Sequence, residues 1–181
     1  MALILLARLK RINRVCALGA GVLLLLCAAL VLLDIVLRQW GRSLGGTDEI
    51  SGYVMAIATA WGMAFALLEL SHVRIDLLRS RGPSWARAAF DLLALGVLAA
   101  VITLLAWHAW PVLARSIANS SHANTPLETP LAWVQWPWFL GWAWFALVAW
   151  LTWAAAVVLV WQRQWAALEA AVGSAGEGQA S

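Results

Sequence analysis

The residues of this 181-residue chain that could carry chemistry are few: three histidines, two cysteines and nine carboxylates. Paired histidines suggest haem, whose two axial ligands must meet one iron from similar depth on facing helices. His72 and His108 fail that requirement. His72 falls just past the inner end of the second apolar stretch, whereas His108 stands sixteen residues into the third, a rise of about 24 Å. His122 lies in an outer loop. The spacing leaves quinone binding open but excludes bis-histidine haem. His108, flanked by Trp107 and Trp110, reads as a hydrogen-bonded packing residue. Cys16 and Cys27 are eleven residues apart in one apolar stretch, about 16 Å along a helix, too far for a disulfide or a shared metal. No Ser/His/Asp set, glycine-rich phosphate loop or metal-spaced cluster occurs, so no catalytic, metal or cofactor residue is expected. Asn119-Ser120-Ser121 fits a glycosylation pattern that recurs by chance.

The remaining charged groups gather at the ends of apolar stretches. Asp34 and Arg38 are spaced i, i+4 with the acid first, the favourable order for an ion pair on a helix. Glu49 and Glu69 bracket the second stretch. Beyond it, Glu69, His72 and Asp76 share one helical face, with Arg74 pointing away. Such groups either anchor helix ends at the interface or form a docking point for a partner.

The elements that position these residues are membrane helices. Hydrophobic residues make up 64% of the chain and charged residues 12%, more apolar surface than a water-soluble core of this size can hide. The expected architecture is an all-α integral membrane protein with four spans, at about 15–37, 50–68, 92–114 and 138–161. Pro137 then falls in the first turn of the last helix, where its missing N–H is no loss. The first apolar stretch is too long for a signal peptide and has no small-residue cleavage site after Leu37, so it reads as an uncleaved anchor. Nine of the twelve Lys and Arg residues lie at one end, including Arg8, Lys10, Arg11, Arg14 and Arg87, against Arg38, Arg42 and Arg115 at the other. Both termini are therefore expected on the cytoplasmic side. That split, and not a basic patch for nucleic acid, accounts for the net charge of +3. Residues 1–14 place Leu5, Leu6, Leu9 and Ile12 on one stripe and read as a basic interfacial helix on anionic lipid, or as a topogenic flank without fixed structure. The membrane domain runs over 15–165, and 166–181 reads as a cytoplasmic tail, largely disordered.

Small residues mark the packing surfaces. Gly52, Ala56, Ala60 and Ala64 recur every four residues, and Ala58, Gly62 and Ala66 form a second row, spacings that let helices approach closely in lipid. Trp138, Trp142, Phe145 and Trp153 form an aromatic stripe on the last span, and Trp142, Trp144, Trp150 and Trp153 lie too deep for an interfacial belt; these face lipid or bury area against another membrane protein. The outer loop between the last two spans carries Ser120, His122, Asn124 and Glu128.

In this order the motifs resemble the small membrane subunit of TRAP (tripartite ATP-independent periplasmic) transporters, the DctQ type. The resemblance covers roughly 17–145: Asp34-Ile-Val-Leu-Arg38, Thr47-Asp48-Glu49-Ile50, Leu68-Glu-Leu-Ser-His72-Val-Arg74-Ile-Asp76-Leu-Leu78, and Thr125-Pro-Leu-Glu-Thr-Pro130 before Trp133 and Pro137. It implies a bacterial inner-membrane subunit that braces a separate large multi-span subunit and helps dock a periplasmic solute-binding protein, in sodium-driven uptake of an organic acid. The coupling sodium would belong to the large subunit, and the outer loop would be the docking surface. Other classes compatible with the residues are a self-associating small transporter and a haem- or quinone-binding membrane subunit.

Overall fold

A computed structural model describes residues 2–70 and 83–172, and these form five helices: α1 (Ala2–Gln39), α2 (Thr47–Leu68), α3 (Ser84–Ala118), α4 (Leu131–Trp161) and α5 (Trp165–Val172). The first four are long and apolar enough to cross a membrane. In lipid each backbone N–H and C=O must be satisfied within its own segment, which uncharged runs of this length achieve only as helices. α1 packs on α2, and α4 lies between α2 and α3. The end carrying Arg8, Arg87 and Arg163 is called the basic end below; the opposite end carries the α1–α2 and α3–α4 loops.

Several boundaries differ from the sequence expectation, among them the start of α3, which lies at Ser84 and not near Leu92. Residues 2–14 are not a separate interfacial helix: they continue into the first span as one 38-residue helix, about 57 Å long. Its buried stripe is Ala2, Leu6, Leu9 and Asn13, while Ile12 is exposed. This stripe packs into the core and does not lie on lipid. α4 begins at Leu131, about two turns before the expected start, so Pro137 is internal to the helix. Residues 165–172 are helical, with Leu168 and Val172 buried and Glu169 within 3.3 Å of Arg87. Burial of two aliphatic side chains against the end of the bundle explains why this part of the tail is ordered.

The helices terminate in one shared way. α1, α3 and α4 each close with a paired set of backbone bonds, such as Ser120 N–H to Ile117 O (3.2 Å) and Ser121 N–H to Ser116 O (2.9 Å). This cap needs a left-handed residue just past the helix. Gly41 supplies it for α1, whereas Ser120 and Arg163 adopt it with φ of 48° and 53°.

α4 is apolar all round, so residue size decides which face turns inward. Gly141, Phe145, Val148, Ala149, Thr152, Ala156 and Leu159 are buried, following helical spacing. Facing them are Ala60 and Ala64 of α2 and Leu95, Ala99 and Ile102 of α3, all at most 2% exposed. His108 is one residue from buried Ala109, hence about 100° round the helix, and is exposed. It bonds through Nδ1 to Leu104 O at 2.8 Å and is not part of the core.

Candidate functional site: a loop platform on a tryptophan-pinned bundle

The polar groups that organise the molecule are concentrated at the loop end. Asp34 is 1% exposed, although a carboxylate buried without partners would be costly. It is surrounded by donors. Arg38 reaches Oδ2 through Nε at 2.8 Å and Nη2 at 2.7 Å. The Thr47 hydroxyl donates to Oδ2 at 3.0 Å, and the Ser43 hydroxyl and Leu44 N–H donate to Oδ1 at 3.0 and 2.7 Å. Oxygens of one side chain thus fix the C-terminal turn of α1, the connecting loop and the first residue of α2. Hydrogen bonds to a charged acceptor contribute roughly 1.5–3 kcal/mol each, so this is a strong local tie.

Glu49 performs the matching task on the other loop. Its Oε1 accepts the Tyr53 hydroxyl. The Thr125 and Thr129 hydroxyls and the Leu127 N–H surround the carboxylate, though Oε2 is enclosed without a bond of good geometry. Gly46, with φ of 69°, lies directly beneath Leu127; a methyl group added there would collide with the Leu127 side chain. The α3–α4 loop is closed on itself by Ala123 N–H to Thr129 O (2.9 Å), Leu131 N–H to Ser121 O (3.0 Å) and a bridge between His122 and Pro130. The two loops therefore form one platform, tied to α1 through Asp34 and to α2 through Glu49.

The platform presents the outer-loop residues to solvent. His122, Asn124 and Glu128 are exposed, and Glu128 holds φ of 45° with its N–H on Thr125 O. Ser120 is exposed but serves as the left-handed cap of α3. Trp40 (73% exposed), Trp133 (77%) and Leu44 also stand outward, so the surface mixes aromatic, apolar and charged groups.

The small-residue row of α2 is divided. Ala60 and Ala64 are fully buried, and Gly141 of α4 fits against Ala60 so closely that an added Cβ would lie 2.7 Å from its Cβ and 3.1 Å from its backbone carbon. Gly52 and Ala56 are exposed, and a Cβ on Gly52 would meet nothing within 4 Å. In the second row, Ala58 is buried whereas Gly62 and Ala66 are half-buried.

Most of the deep tryptophans are pinned inside the subunit. Trp144 Nε1 donates to Asn13 Oδ1 at 3.0 Å, while Asn13 Nδ2 donates to Leu9 O at 2.9 Å. Trp153 donates to Leu92 O (3.1 Å) beside Gly96, where a Cβ would press on the indole. Trp150 donates to Thr103 Oγ1 (2.9 Å), and Trp61 to Pro137 O (3.0 Å). Trp142 packs obliquely on buried Phe145, with ring centroids 6.3 Å apart. Beyond lipid and a partner protein, the indoles thus have a third destination: the α1–α4, α2–α4 and α3–α4 seams of their own bundle.

Of the remaining residues singled out in the sequence, Glu69 is the exposed C-cap of α2, its N–H bonded to Phe65 O. His72, Arg74 and Asp76 lie outside the described residues. Asn13, Trp61, Ser43 and Gly141 were not anticipated. Asn13 had a signal, since it extends the Ala2, Leu6, Leu9 spacing by one turn.

No curated protein and no solved structure matched the chain. The family model for tripartite ATP-independent periplasmic transporters, DctQ component, matches residues 27–159, which take in the Asp34 tie, the loop platform and most of the tryptophan-pinned bundle. The chain belongs to this DctQ family, and is therefore a membrane component of a transporter and not an enzyme.

Proposed function

We propose that the chain is the small permease subunit of a sodium-coupled TRAP transporter for organic acids in the bacterial inner membrane, with its basic end and both termini in the cytoplasm. It works as a static brace. A separate large multi-span subunit carries the substrate and sodium sites, and this bundle enlarges the part of the complex that stays fixed while the transport domain moves. The platform faces the periplasm and helps seat the solute-binding protein, with His122, Asn124 and Glu128 at the contact. The open part of α2, at Gly52 and Ala56, is the candidate contact with the large subunit. No cofactor is needed for this role.

The observation that carries this reading is the platform. The α1–α2 loop is tied to two helices by Asp34, and the α3–α4 loop lies against it at Gly46 and Glu49, yet their upper surface is left open. Rigid support beneath an exposed mixed surface suits docking, because little ordering cost is left for the moment of binding. The test is affinity purification of the tagged full chain in mild detergent. A large multi-span protein in near-equal amount, together with uptake of an organic acid that needs both chains and sodium, is the expected result. Recovery of the chain alone or as a self-oligomer, from an extract that retains other membrane complexes, followed by transport by this chain alone in liposomes, would overturn it.

A further inference from the structure

At the basic end, the first turns of α1 and the last turns of α4 leave an open groove of about 680 Å³. Ile4, Leu5 and Val158 wall it, and Ala154 and Ala155 keep it open. Its polar lining comes from Arg8 and Gln162. Arg8 is exposed and forms no hydrogen bond or ion pair among the described residues. On a helix a long side chain leans toward the N-terminus, so the guanidinium of Arg8 hangs over the groove wall formed by Ile4 and Leu5. Arg11, also exposed, follows on the same stripe as Ile4 and Arg8.

A cation with no partner among the described residues, set directly beside an apolar groove in a membrane protein, is complementary to one kind of molecule. A lipid phosphate accepts paired bonds from a guanidinium, and its acyl chains follow at a fixed offset. A transmembrane helix of a partner would cover the apolar wall but leave Arg8 facing hydrocarbon, a costly arrangement. We propose that this groove holds one anionic phospholipid of the leaflet at the basic end, with its phosphate on Arg8 and its acyl chains along Ile4, Leu5 and Val158. Gln162, exposed at the end of α4, donates to headgroup oxygens. The inference is independent of the docking role of the platform.

Native mass spectrometry of the full chain, extracted from membranes containing phosphatidylglycerol and phosphatidylethanolamine, reads the retained lipid directly. One phosphatidylglycerol per chain is expected. Arg8→Gln, at an exposed position, should lower its retention about five-fold, the order expected for one cation beside anionic lipid. Ala154→Phe, which fills the groove from an exposed position, should lower it comparably. Arg14→Gln, outside the groove, should leave it unchanged. Equal losses from Arg8→Gln and Arg14→Gln would overturn the site in favour of diffuse attraction by the whole basic flank. Unchanged retention in Arg8→Gln would overturn it as well, as would a photo-reactive residue at Val158 that labels a protein and no lipid.

Discussion

The two halves of α2 share one spacing of small residues and meet opposite surroundings. Toward the basic end, Ala60 and Ala64 are buried against α4, and Gly141 is needed because even one carbon would strike the Ala60 backbone. Toward the loop end, Gly52 and Ala56 face outward with room for larger side chains. Small residues in membrane helices permit close approach, and the neighbouring helix decides whether that approach occurs. One half of the row is explained by this subunit's own stability. The other has no such internal account, and is the part proposed above to meet the large subunit.

The strongest test of this contrast is Gly141→Leu. Four carbons forced into the Ala60 contact must part α2 from α4, and overpacking of this kind costs about 1–3 kcal/mol or more. The variant should lose thermal stability in detergent by several degrees and become sensitive to protease; an unchanged melting curve would mean that the seam does not bear on folding. Asp34→Asn comes next. It weakens the charge-assisted bonds that set the first residue of α2, and the amide of Leu44 should exchange with deuterium at least ten-fold faster. Retained protection at Leu44 would show that the loop is held by other contacts. Trp61→Phe removes the bond to Pro137 O at the packed seam and should cost about 0.6–1 kcal/mol, the usual worth of an interhelical hydrogen bond in membranes. Smallest in its effect on folding is Gly52→Leu, which should leave the melting temperature unchanged but reduce co-purification with the large subunit. A fall in stability would place Gly52 among the internal contacts, whereas full co-purification would remove it from the proposed interface. Combining Gly52→Leu with Ala60→Leu would blur the comparison, since one change acts outside the bundle and the other inside it.

Much of this architecture was legible in the sequence because hydrophobic length is a strong signal. The four spans, the Asp34–Arg38 pairing and the spacing of the small row all follow from composition and helical period. What was not legible depends on which helix stands opposite. Nothing local says that Ala60 meets Gly141 while Gly52 has open space beside it among the described residues, because both ends of the row have the same period. The tryptophans show the same limit. Their depth could be counted from the sequence, but the indole partners are Asn13, Pro137, Thr103 and Leu92, each on another helix. The early start of α4 was missed for a different reason. Pro137 suits a first turn, yet an internal proline is tolerated in membrane helices when neighbouring groups compensate nearby. Here the carbonyl freed by the missing N–H is that of Trp133, in the first turn of α4, and the Trp61 indole bond to the Pro137 carbonyl is a separate tie between α2 and α4.

The placement of Asp34 also bears on how the chain is made. Its partners Arg38, Ser43, Leu44 and Thr47 all lie within thirteen residues downstream. A ribosome that has released the start of α2 has thus already supplied every group the carboxylate needs. As far as Asp34 is concerned, the first two helices can enter the bilayer as a hairpin before α3 and α4 exist, whereas Glu49 still awaits the α3–α4 loop. A chain interrupted before Ser43 would carry an acid answered only by Arg38, a defect that membrane quality control could recognise before the rest of the subunit exists.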